Sequence, residues 1–375
     1  MHQEPSGVWI MAYTAIDDPS AHFQSTIYTG SGSDDLVVTN VGNSDLQPDF
    51  IWIKKRSASG QHVLSDTSRG ILKVLNSNGN TAEDSNSEGE MIKSVQSDGF
   101  TLGDSQAGQG DTNYTSGGTY VAWQWKANDG STTTNDASAT GVGSVDSVYQ
   151  ANTTSGFSIV TYTGTGSGDI TLAHGLGKVP NLIIGKVRNQ SYDWRVYHSS
   201  EGASKTLAID GAYAAGANNA WGGTTPTSTV FTAGRGSDEN MNYGSGDTIV
   251  AYCFAEIQGY SKFGGYTGNG NADGTFVYLG FRPALIIIKC TSTASTDWVM
   301  YDNKRDINPV GSDSGTLYPN LDAGDSSAGG IDFLSNGFKA RSTNGYNNGD
   351  ARTYIYMAFA EQPFVTSGGV PCTAR

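Results

Sequence analysis

The sequence predicts an all-β protein made of three tandem antiparallel β-sandwich domains, jelly-roll-like and each of about 100 residues. Three observations support this: an internal threefold repeat, glycine at 50 of 375 positions with only 15% charged residues, and no convincing helical apolar period. Helical proteins are rich in Ala, Glu, Lys and Leu, so this composition favours strands and turns. The 19 tyrosines, 13 phenylalanines and 7 tryptophans exceed what a disordered chain carries.

Each repeat opens with Tyr-Thr-Gly, at 28–30, 162–164 and 266–268. A proline follows 17 to 20 residues after the tyrosine, and a lysine stands six residues after each proline. These pairs are Pro48 and Lys54, Pro180 and Lys186, and Pro283 and Lys289. The runs between them are apolar on both alternating faces, which predicts strands buried on two sides with proline at the start.

Each repeat closes with a threonine and an aromatic residue six positions later. These are Thr119 and Trp125, Thr248 and Phe254, and Thr353 and Phe359. The distances from proline to threonine are 71, 68 and 70 residues, and such regularity predicts three equivalent folding units. Asp98-Gly99 and Asn336-Gly337 predict type I′ hairpins in repeats 1 and 3, whereas repeat 2 has 227–234 instead.

These landmarks predict the domain boundaries. We expect an N-terminal arm at 1–25, repeat 1 at 26–127, a linker at 128–156, repeat 2 at 157–256, repeat 3 at 261–364 and a C-terminal tail at 365–375. The linker is assigned because 128–156 is rich in Ser, Thr, Asp and Gly and accounts for the wider first proline spacing. Three sandwiches in series predict an elongated chain.

Charge and hydropathy exclude several classes of partner. A net charge of −14 suits neither nucleic-acid phosphate nor anionic lipid. The longest aliphatic run, 284–288, is far below the roughly 20 residues that cross a bilayer. The apolar patch at 8–12 soon meets Asp17 and Asp18, so we expect neither a secretory signal nor membrane insertion.

Residues that could hold a metal or a cofactor are scattered. Cys253, Cys290 and Cys372 form no CxxC pair and are predicted to be buried free thiols from a reducing cytosol. The five histidines (His2, His22, His62, His174 and His198) lack ligand spacing, and His174 is expected to stabilise a turn. The loop 268–274 has oxygen ligands at alternate positions but no EF-hand glutamate, so we expect a plain hairpin loop. We predict no catalytic, cofactor-binding or metal-binding residues.

One triplicated position argues against catalysis. Asp66 precedes Arg69 by three residues and Asp302 precedes Arg305 likewise, whereas repeat 2 has His198 and Glu201. Because a catalytic carboxylate could not be replaced by histidine, we interpret these pairs as turn-closing ion pairs that tolerate inversion. The aromatic residues that could form contact platforms are Trp194, Trp298, Tyr260, Tyr266 and Tyr346.

Several runs resemble the tail-fibre-like virion structural proteins of marine tailed bacteriophages. The matching runs are 11–14, 18–20, 46–54, 118–123, 174–177, 252–256 and 331–339. The resemblance covers nearly the whole chain from Met11, and the first ten residues depart from it as an extended start or a docking tail. It implies a structural part of a virion, with no catalytic residues to carry over, and leaves a tail fibre or a head decoration open.

We therefore expect a structural protein of the virion surface, a tail-fibre or adhesion component, with a head decoration protein or head fibre as the alternative, assembled in the host cytoplasm. Its expected partners are other virion proteins and a host surface glycan or receptor. Exposed strand edges of an elongated chain predict a homotrimer. The contact loops of a fibre would be 103–118 or 342–352. The rival from another class is a tailspike enzyme that cleaves polysaccharide with two carboxylates, in which one repeat would depart from the others by carrying that pair. A bacterial adhesin is a third reading.

Overall fold

The computed structural model describes residues 13–85, 90–104, 111–236, 241–305, 315–327 and 329–371. Strands make up 42% of the structure and helix 2%, which confirms the all-β prediction. Repeat 1 forms β1 (Phe23–Thr29), β2 (Leu36–Thr39), β3 (Phe50–Lys55), β4 (Val63–Asp66), β5 (Ile92–Gln96), β6 (Gly99–Leu102) and β7 (Thr119–Trp125). A short 3-10 turn, Pro19–Ala21, precedes β1.

The segment between repeats 1 and 2 forms β8 (Thr133–Asn135), α1 (Ala137–Thr140) and β9 (Ser147–Asn152). Repeat 2 forms β10 (Phe157–Thr165), β11 (Ile170–Ala173), β12 (Leu182–Val187), β13 (Arg195–His198), β14 (Lys205–Thr206), β15 (Gly216–Ala217), β16 (Val230–Ala233) and β17 (Ser245–Phe254). Repeat 3 forms β18 (Ser261–Thr267), β19 (Phe276–Tyr278), β20 (Phe281–Cys290), β21 (Val299–Asp302), β22 (Ile331–Leu334), β23 (Gly337–Ala340) and β24 (Thr353–Pro363).

Each repeat contains the same antiparallel four-stranded sheet. The strand orders are β1-β7-β3-β4, β10-β17-β12-β13 and β18-β24-β20-β21. Pro48 and Pro180 lie two residues before the first residues of β3 and β12, and Pro283 lies in β20 at a shift in register. The three prolines therefore enter equivalent strands, as the spacing predicted.

A smaller sheet covers one face of each four-stranded sheet. It consists of β2-β6-β5 in repeat 1, β11-β16 in repeat 2 and β19-β23-β22 in repeat 3. Equivalent pairs lie inside each sandwich: Val38 with Phe100, Leu172 with Phe231, and Val277 with Phe338. All six side chains are buried, so each repeat has the two packed layers of a sandwich.

The two predicted hairpins exist, but their turns are not type I′. Asp98 ends the loop between β5 and β6 and Gly99 begins β6, and Asn336 and Gly337 stand in the same way at the start of β23. Of these four residues only Gly99 has a positive φ, +111°, whereas a type I′ turn needs two. Glycine is required for space: a Cβ at Gly99 would lie 2.0 Å from the Val38 carbonyl oxygen, and one at Gly337 would lie 2.1 Å from that of Val277.

The other faces of the four-stranded sheets meet in one shared core. Trp125, Phe254 and Phe359, the aromatic residues that close the repeats, touch one another with ring centroids 5.5–6.2 Å apart. The prediction of an elongated chain is therefore wrong. A sheet that is apolar on both faces buries only one inside its own sandwich, so the other needs a further partner.

Equivalent hydrogen bonds link the repeats in one cyclic direction. In each repeat a ring N–H donates to a backbone carbonyl of another repeat. The bonds are His62 Nε2 to Tyr318 (2.9 Å), Trp194 Nε1 to Asn76 (2.9 Å) and Trp298 Nε1 to Ala208 (2.8 Å). The three accepting residues are equivalent, since each directly follows a leucine. Trp52 Nε1 donates to His62 Nδ1, so His62 is neutral with its proton on Nε2. The chain thus has internal pseudo-threefold symmetry.

The predicted linker is part of the fold. β9 pairs with β10, and β8 with β9, which extends the repeat 2 sheet to six strands. The arm also packs: Ile16 belongs to the shared core, and Tyr13 donates to the Gly280 carbonyl. Cys253 and Cys290 are buried free thiols as predicted, while Cys372 lies outside the described residues.

Candidate functional site

Three buried asparagines hold the loops that follow the Tyr-Thr-Gly motifs. The Oδ1 atoms of Asn113, Asn242 and Asn348 accept the backbone N–H of Ser31 (2.7 Å), Thr165 (2.7 Å) and Asn269 (3.1 Å). Their Nδ2 groups donate to the carbonyls of Ser33 (2.7 Å), Gly168 (2.8 Å) and Asn271 (2.7 Å). Buried, fully bonded amides rigidify the backbone around them, so each repeat presents a preorganised pair of loops.

Exposed tyrosines lie on these loops in repeats 1 and 2. Tyr114 follows Asn113 and is 53% exposed, and Tyr243 follows Asn242 and is 40% exposed. Tyr192 supports Tyr243 by an edge-to-face contact at 5.8 Å. Tyrosine offers contact area at low entropic cost. The predicted contact loops 103–118 and 342–352 belong to this set, although 105–110 lie outside the described residues.

The predicted aromatic platforms are mostly internal. Trp194, Trp298 and Tyr260 are at most 3% exposed, so they are not contact residues. The indole N–H groups of Trp194 and Trp298 donate the hydrogen bonds that link the repeats. Tyr266 and Tyr346 are partly exposed. Local sequence could not distinguish these cases, because a Trp with a buried hydrogen-bond partner and a Trp at a binding surface have the same composition around them.

Two of the three expected ion pairs exist and are parts of larger networks. Arg69 meets Asp66 at 2.5 Å and Glu83 at 2.8 Å, and Glu83 also pairs with Arg188 of repeat 2. The equivalent network contains Arg305, Asp302, Asp325 and Arg56. Tyr252 of repeat 2 donates to Asp66 (2.8 Å) and Trp123 of repeat 1 donates to Asp302 (3.0 Å). These networks hold the junctions of repeat 1 with its two neighbours.

The predicted His198–Glu201 ion pair is wrong. Glu201 pairs with Lys205 at 2.9 Å, and burial lowers the pKa of His198 to about 4, so this imidazole is neutral. Its Nε2 lies 3.2 Å from the Tyr356 carbonyl oxygen. Met357 occupies the position at this junction that Trp123 and Tyr252 occupy at the other two. Because a methionine side chain has no hydrogen-bond donor, the group that faces His198 here is the Tyr356 carbonyl. A histidine can donate to that carbonyl and an aspartate cannot.

One repeat departs from the others by carrying two carboxyl groups close together. The side chain that accepts the backbone N–H of His62, Trp194 or Trp298 is Asn78, Asp210 or Asn320 respectively. Beside it in repeat 2 is Asp193. Burial of Asp210, and then the charge of Asp193, raise the pKa of Asp210 to about 7. This is the kind of departure expected of the rival enzyme. However, Asp210 accepts a backbone N–H as its amide equivalents do, which fits a structural role.

The triplicated lysines are buried donors to backbone carbonyls. Lys54, Lys186 and Lys289 are all fully buried. Lys54 donates to Lys55 (2.7 Å), Lys186 to Val187 (2.6 Å) and Lys289 to Thr296 (2.5 Å). Burial lowers the pKa of Lys54 and of Lys289 to about 8. Their sequence signal was the constant spacing from proline. Lys186 and Lys289 close the turns after their strands, on the carbonyls of Gln190 and Thr296, whereas Lys54 reaches the Asp322 carbonyl of repeat 3 (3.1 Å).

The remaining sequence candidates have structural roles. Asp273 in the loop 268–274 pairs with Lys339 (2.5 Å) and Arg341 (3.3 Å), and the loop joins β18 to β19 of another sheet rather than forming a hairpin. His174 stabilises a turn as expected, since its Nδ1 accepts the Leu176 N–H. Among the described residues there is no group of three or more His, Cys, Asp or Glu placed to hold a metal ion. The described helices include none long and apolar enough to span a membrane.

The fold and the loop surface define an all-β protein with three sandwiches closed around one core. The chain belongs to the family described as a domain of unknown function (DUF7483), which it matches over residues 18–363. That match takes in all three repeats and the segment between repeats 1 and 2, as one unit. No curated protein and no solved structure matches the chain significantly.

Proposed function

We propose that this chain is a structural protein on the surface of a tailed-bacteriophage particle, a tail-fibre or adhesion component that presents sandwich loops to the host. The observation that carries the proposal is the set of loops anchored by Asn113, Asn242 and Asn348. Such loops offer polar groups and exposed tyrosines in a fixed arrangement, which is the chemistry of recognition surfaces. The assignment to a phage particle rests on the sequence resemblance to virion structural proteins.

A head decoration protein is the second candidate, and one specific observation favours it. The chain closes its own three repeats around Trp125, Phe254 and Phe359. A single chain with pseudo-threefold symmetry can sit on a local threefold position of a shell, because each repeat meets a similar environment there. The expected homotrimer remains a proposal, but its premise of an elongated chain no longer supports it.

The test locates the protein on purified particles. Mass spectrometry of separated heads and tails should detect the chain in one fraction, and soluble protein should compete with adsorption only if that fraction is the tail. A Tyr114→Ser, Tyr243→Ser double variant should compete less well. The matched control, Tyr213→Ser, removes a tyrosine that is 64% exposed outside these loops. Absence of the chain from both fractions would contradict the proposal.

The proposal also holds that the chain is not an enzyme, and Asp210 offers the sharpest check. Purified protein incubated with host surface polysaccharide should release no new reducing ends. Release that disappears in the Asp210→Asn variant would favour the tailspike enzyme, since retaining and inverting glycosidases both depend on a pair of carboxyl groups.

A further inference from the structure

The three junctions between repeats are equivalent, but the described residues fill them differently. At each junction the first strand of one repeat faces a turn of another. The strand position is Ser25 in β1, Ile159 in β10 and Phe263 in β18. The turn position is Asn303 opposite β1, Thr67 opposite β10 and Ser199 opposite β18. Ile159 and Phe263 belong to the shared core, whereas Ser25 is a small polar residue.

The junction of repeats 2 and 1 is filled by an added side chain. Gln150 of β9 is fully buried there. Its Nε2 donates to Thr67 (2.9 Å) and Ser68 (3.2 Å), and its Oε1 accepts the Asn128 N–H. Repeat 1 has no equivalent of β9 among its described residues. In the part of the chain that the structure describes, the same position beside β1 is therefore open.

A pocket of about 170 Å³ occupies the open junction. Buried Phe23, Ala284 and Ala360 form its floor, and the exposed residues Val41 and Lys304 stand on its rim. The Gln24 side chain fixes the segment 42–44 beside the pocket. Its Oε1 accepts the Gly42 N–H (2.8 Å) and its Nε2 donates to the Ser44 carbonyl (2.7 Å). The pocket is therefore preformed.

Unsatisfied polar atoms gather around this pocket. Ser25 Oγ, Asn303 Oδ1 and Glu361 Oε2 are buried and make no hydrogen bond with the described residues. Glu361 Oε2 lies 2.7 Å from Arg282 Nε as an ion pair without hydrogen-bond alignment. A buried polar atom without a hydrogen-bond partner is unfavourable, so small side-chain rotations toward a ligand that donates hydrogen bonds are favourable.

We propose that this junction is a binding site for a neutral polyhydroxylated ligand, one monosaccharide unit in size. The volume equals that of roughly six waters at ~30 Å³ each, and a hexose carries about as many hydroxyl oxygens on one ring. It is below the range of roughly 300 Å³ and more that larger ligands need. Lys304 and Glu361 oppose each other in charge, which favours a neutral ligand. Val41, 69% exposed, can cover an apolar sugar face.

Saturation-transfer NMR on the purified full chain tests the site with glucose, galactose, mannose and N-acetylglucosamine. At least one sugar should receive saturation, and Ser25→Phe, which copies the residue of repeat 3, should abolish it. Ser25→Ala keeps the pocket and should weaken binding about three- to tenfold by loss of one hydrogen bond. The control Ile27→Phe places the same ring two residues along β1, outside the pocket, and should bind normally.

Two results would contradict the proposed sugar site. Saturation of none of the four sugars would mean that water alone fills the pocket and would overturn the site. Equal binding by the wild type and Ser25→Phe would place the sugar elsewhere and also overturn it. If Ser25→Phe does not fold, Asn303→Ser, which copies repeat 2, takes its place with the same expectation of lost or weakened binding. These outcomes are read on the protein alone, so they are independent of whether the chain is found in phage particles.

Discussion

Single residues in this protein are explained best by comparison with their two equivalents. Asn78 and Asn320 accept a backbone N–H with a neutral amide, and Asp210 does the same with a carboxyl group beside Asp193. An ionised carboxylate in that place is opposed by burial and by a like charge. The folded protein therefore holds a proton on Asp210 at a pH where an unfolded chain has lost it.

Replacing Asp210 by asparagine should remove this pH dependence. The pKa of Asp210 is about 7 in the folded chain and near 4 when unfolded, so its contribution to stability falls as pH rises from 4 to 7 and stays low above. The gain in unfolding free energy of Asp210→Asn should be greater at pH 8 than at pH 4 by about 2–4 kcal/mol. Urea denaturation of both proteins at the two pH values measures it.

The matched control is Asn320→Asp, which creates the same pair beside Asp297 and should introduce the dependence a second time. Buried neutral histidines such as His198 act in the opposite direction, because the unfolded chain takes up their protons below pH 6.5. Their effect cancels when variant and wild type are compared at one pH. An equal gain at pH 4 and pH 8 would show that the pKa of Asp210 is the same in the folded and the unfolded chain, and would contradict the prediction.

At the scale of elements, β7 and β17 each dock on the turn after the fourth strand of another repeat, and the charged networks lie at those contacts. Arg69 and Asp66 have no exposed side-chain surface. In such a pair the favourable attraction roughly repays desolvation, but loss of one partner leaves an uncompensated charge. The junction of repeats 3 and 2, with neutral His198, has no such sensitivity.

Arg69→Met should therefore destabilise the protein by about 3–5 kcal/mol in urea or guanidinium denaturation. Lys205→Met removes the partner of Glu201 from a half-exposed pair and should cost less than about 1 kcal/mol. Arg305→Met, at the equivalent junction, should resemble Arg69→Met. A loss for Arg69→Met as small as that for Lys205→Met would mean that the network is not part of the folded junction.

At the scale of the whole molecule, the three sandwiches share one hydrophobic core. The shared core draws equivalent residues from every repeat, and each repeat exposes one apolar sheet face when it is alone. Such a face must be covered by the neighbours for the domain to be stable. Cooperativity should then extend across all three repeats.

Calorimetry should show a single unfolding transition, with coincident curves from tryptophan fluorescence and circular dichroism. Trp125→Ala opens a cavity on the pseudo-threefold axis and should lower the midpoint of the whole transition, at a cost of about 3–5 kcal/mol. Separate transitions for the repeats would contradict a common core. So would a fragment 157–256 that folds with the stability of the intact chain.

The sequence by itself determined what depends on local pattern and on comparison between copies: the all-β class, the equivalent strands entered at Pro48, Pro180 and Pro283, the ion pairs Asp66–Arg69 and Asp302–Arg305, and the buried free thiols Cys253 and Cys290. Spacing and alternation carry this information because strands have a two-residue period.

Only the tertiary structure decided how the repeats meet. A strand that is apolar on both faces indicates that it packs against two partners, but not which ones. For that reason the sequence could not predict the shared core, the cyclic ring N–H links or the filled and open junctions. The same limit explains Trp194 and His198. Their roles depend on a carbonyl in another repeat, more than a hundred residues away in the chain, and no local pattern records it.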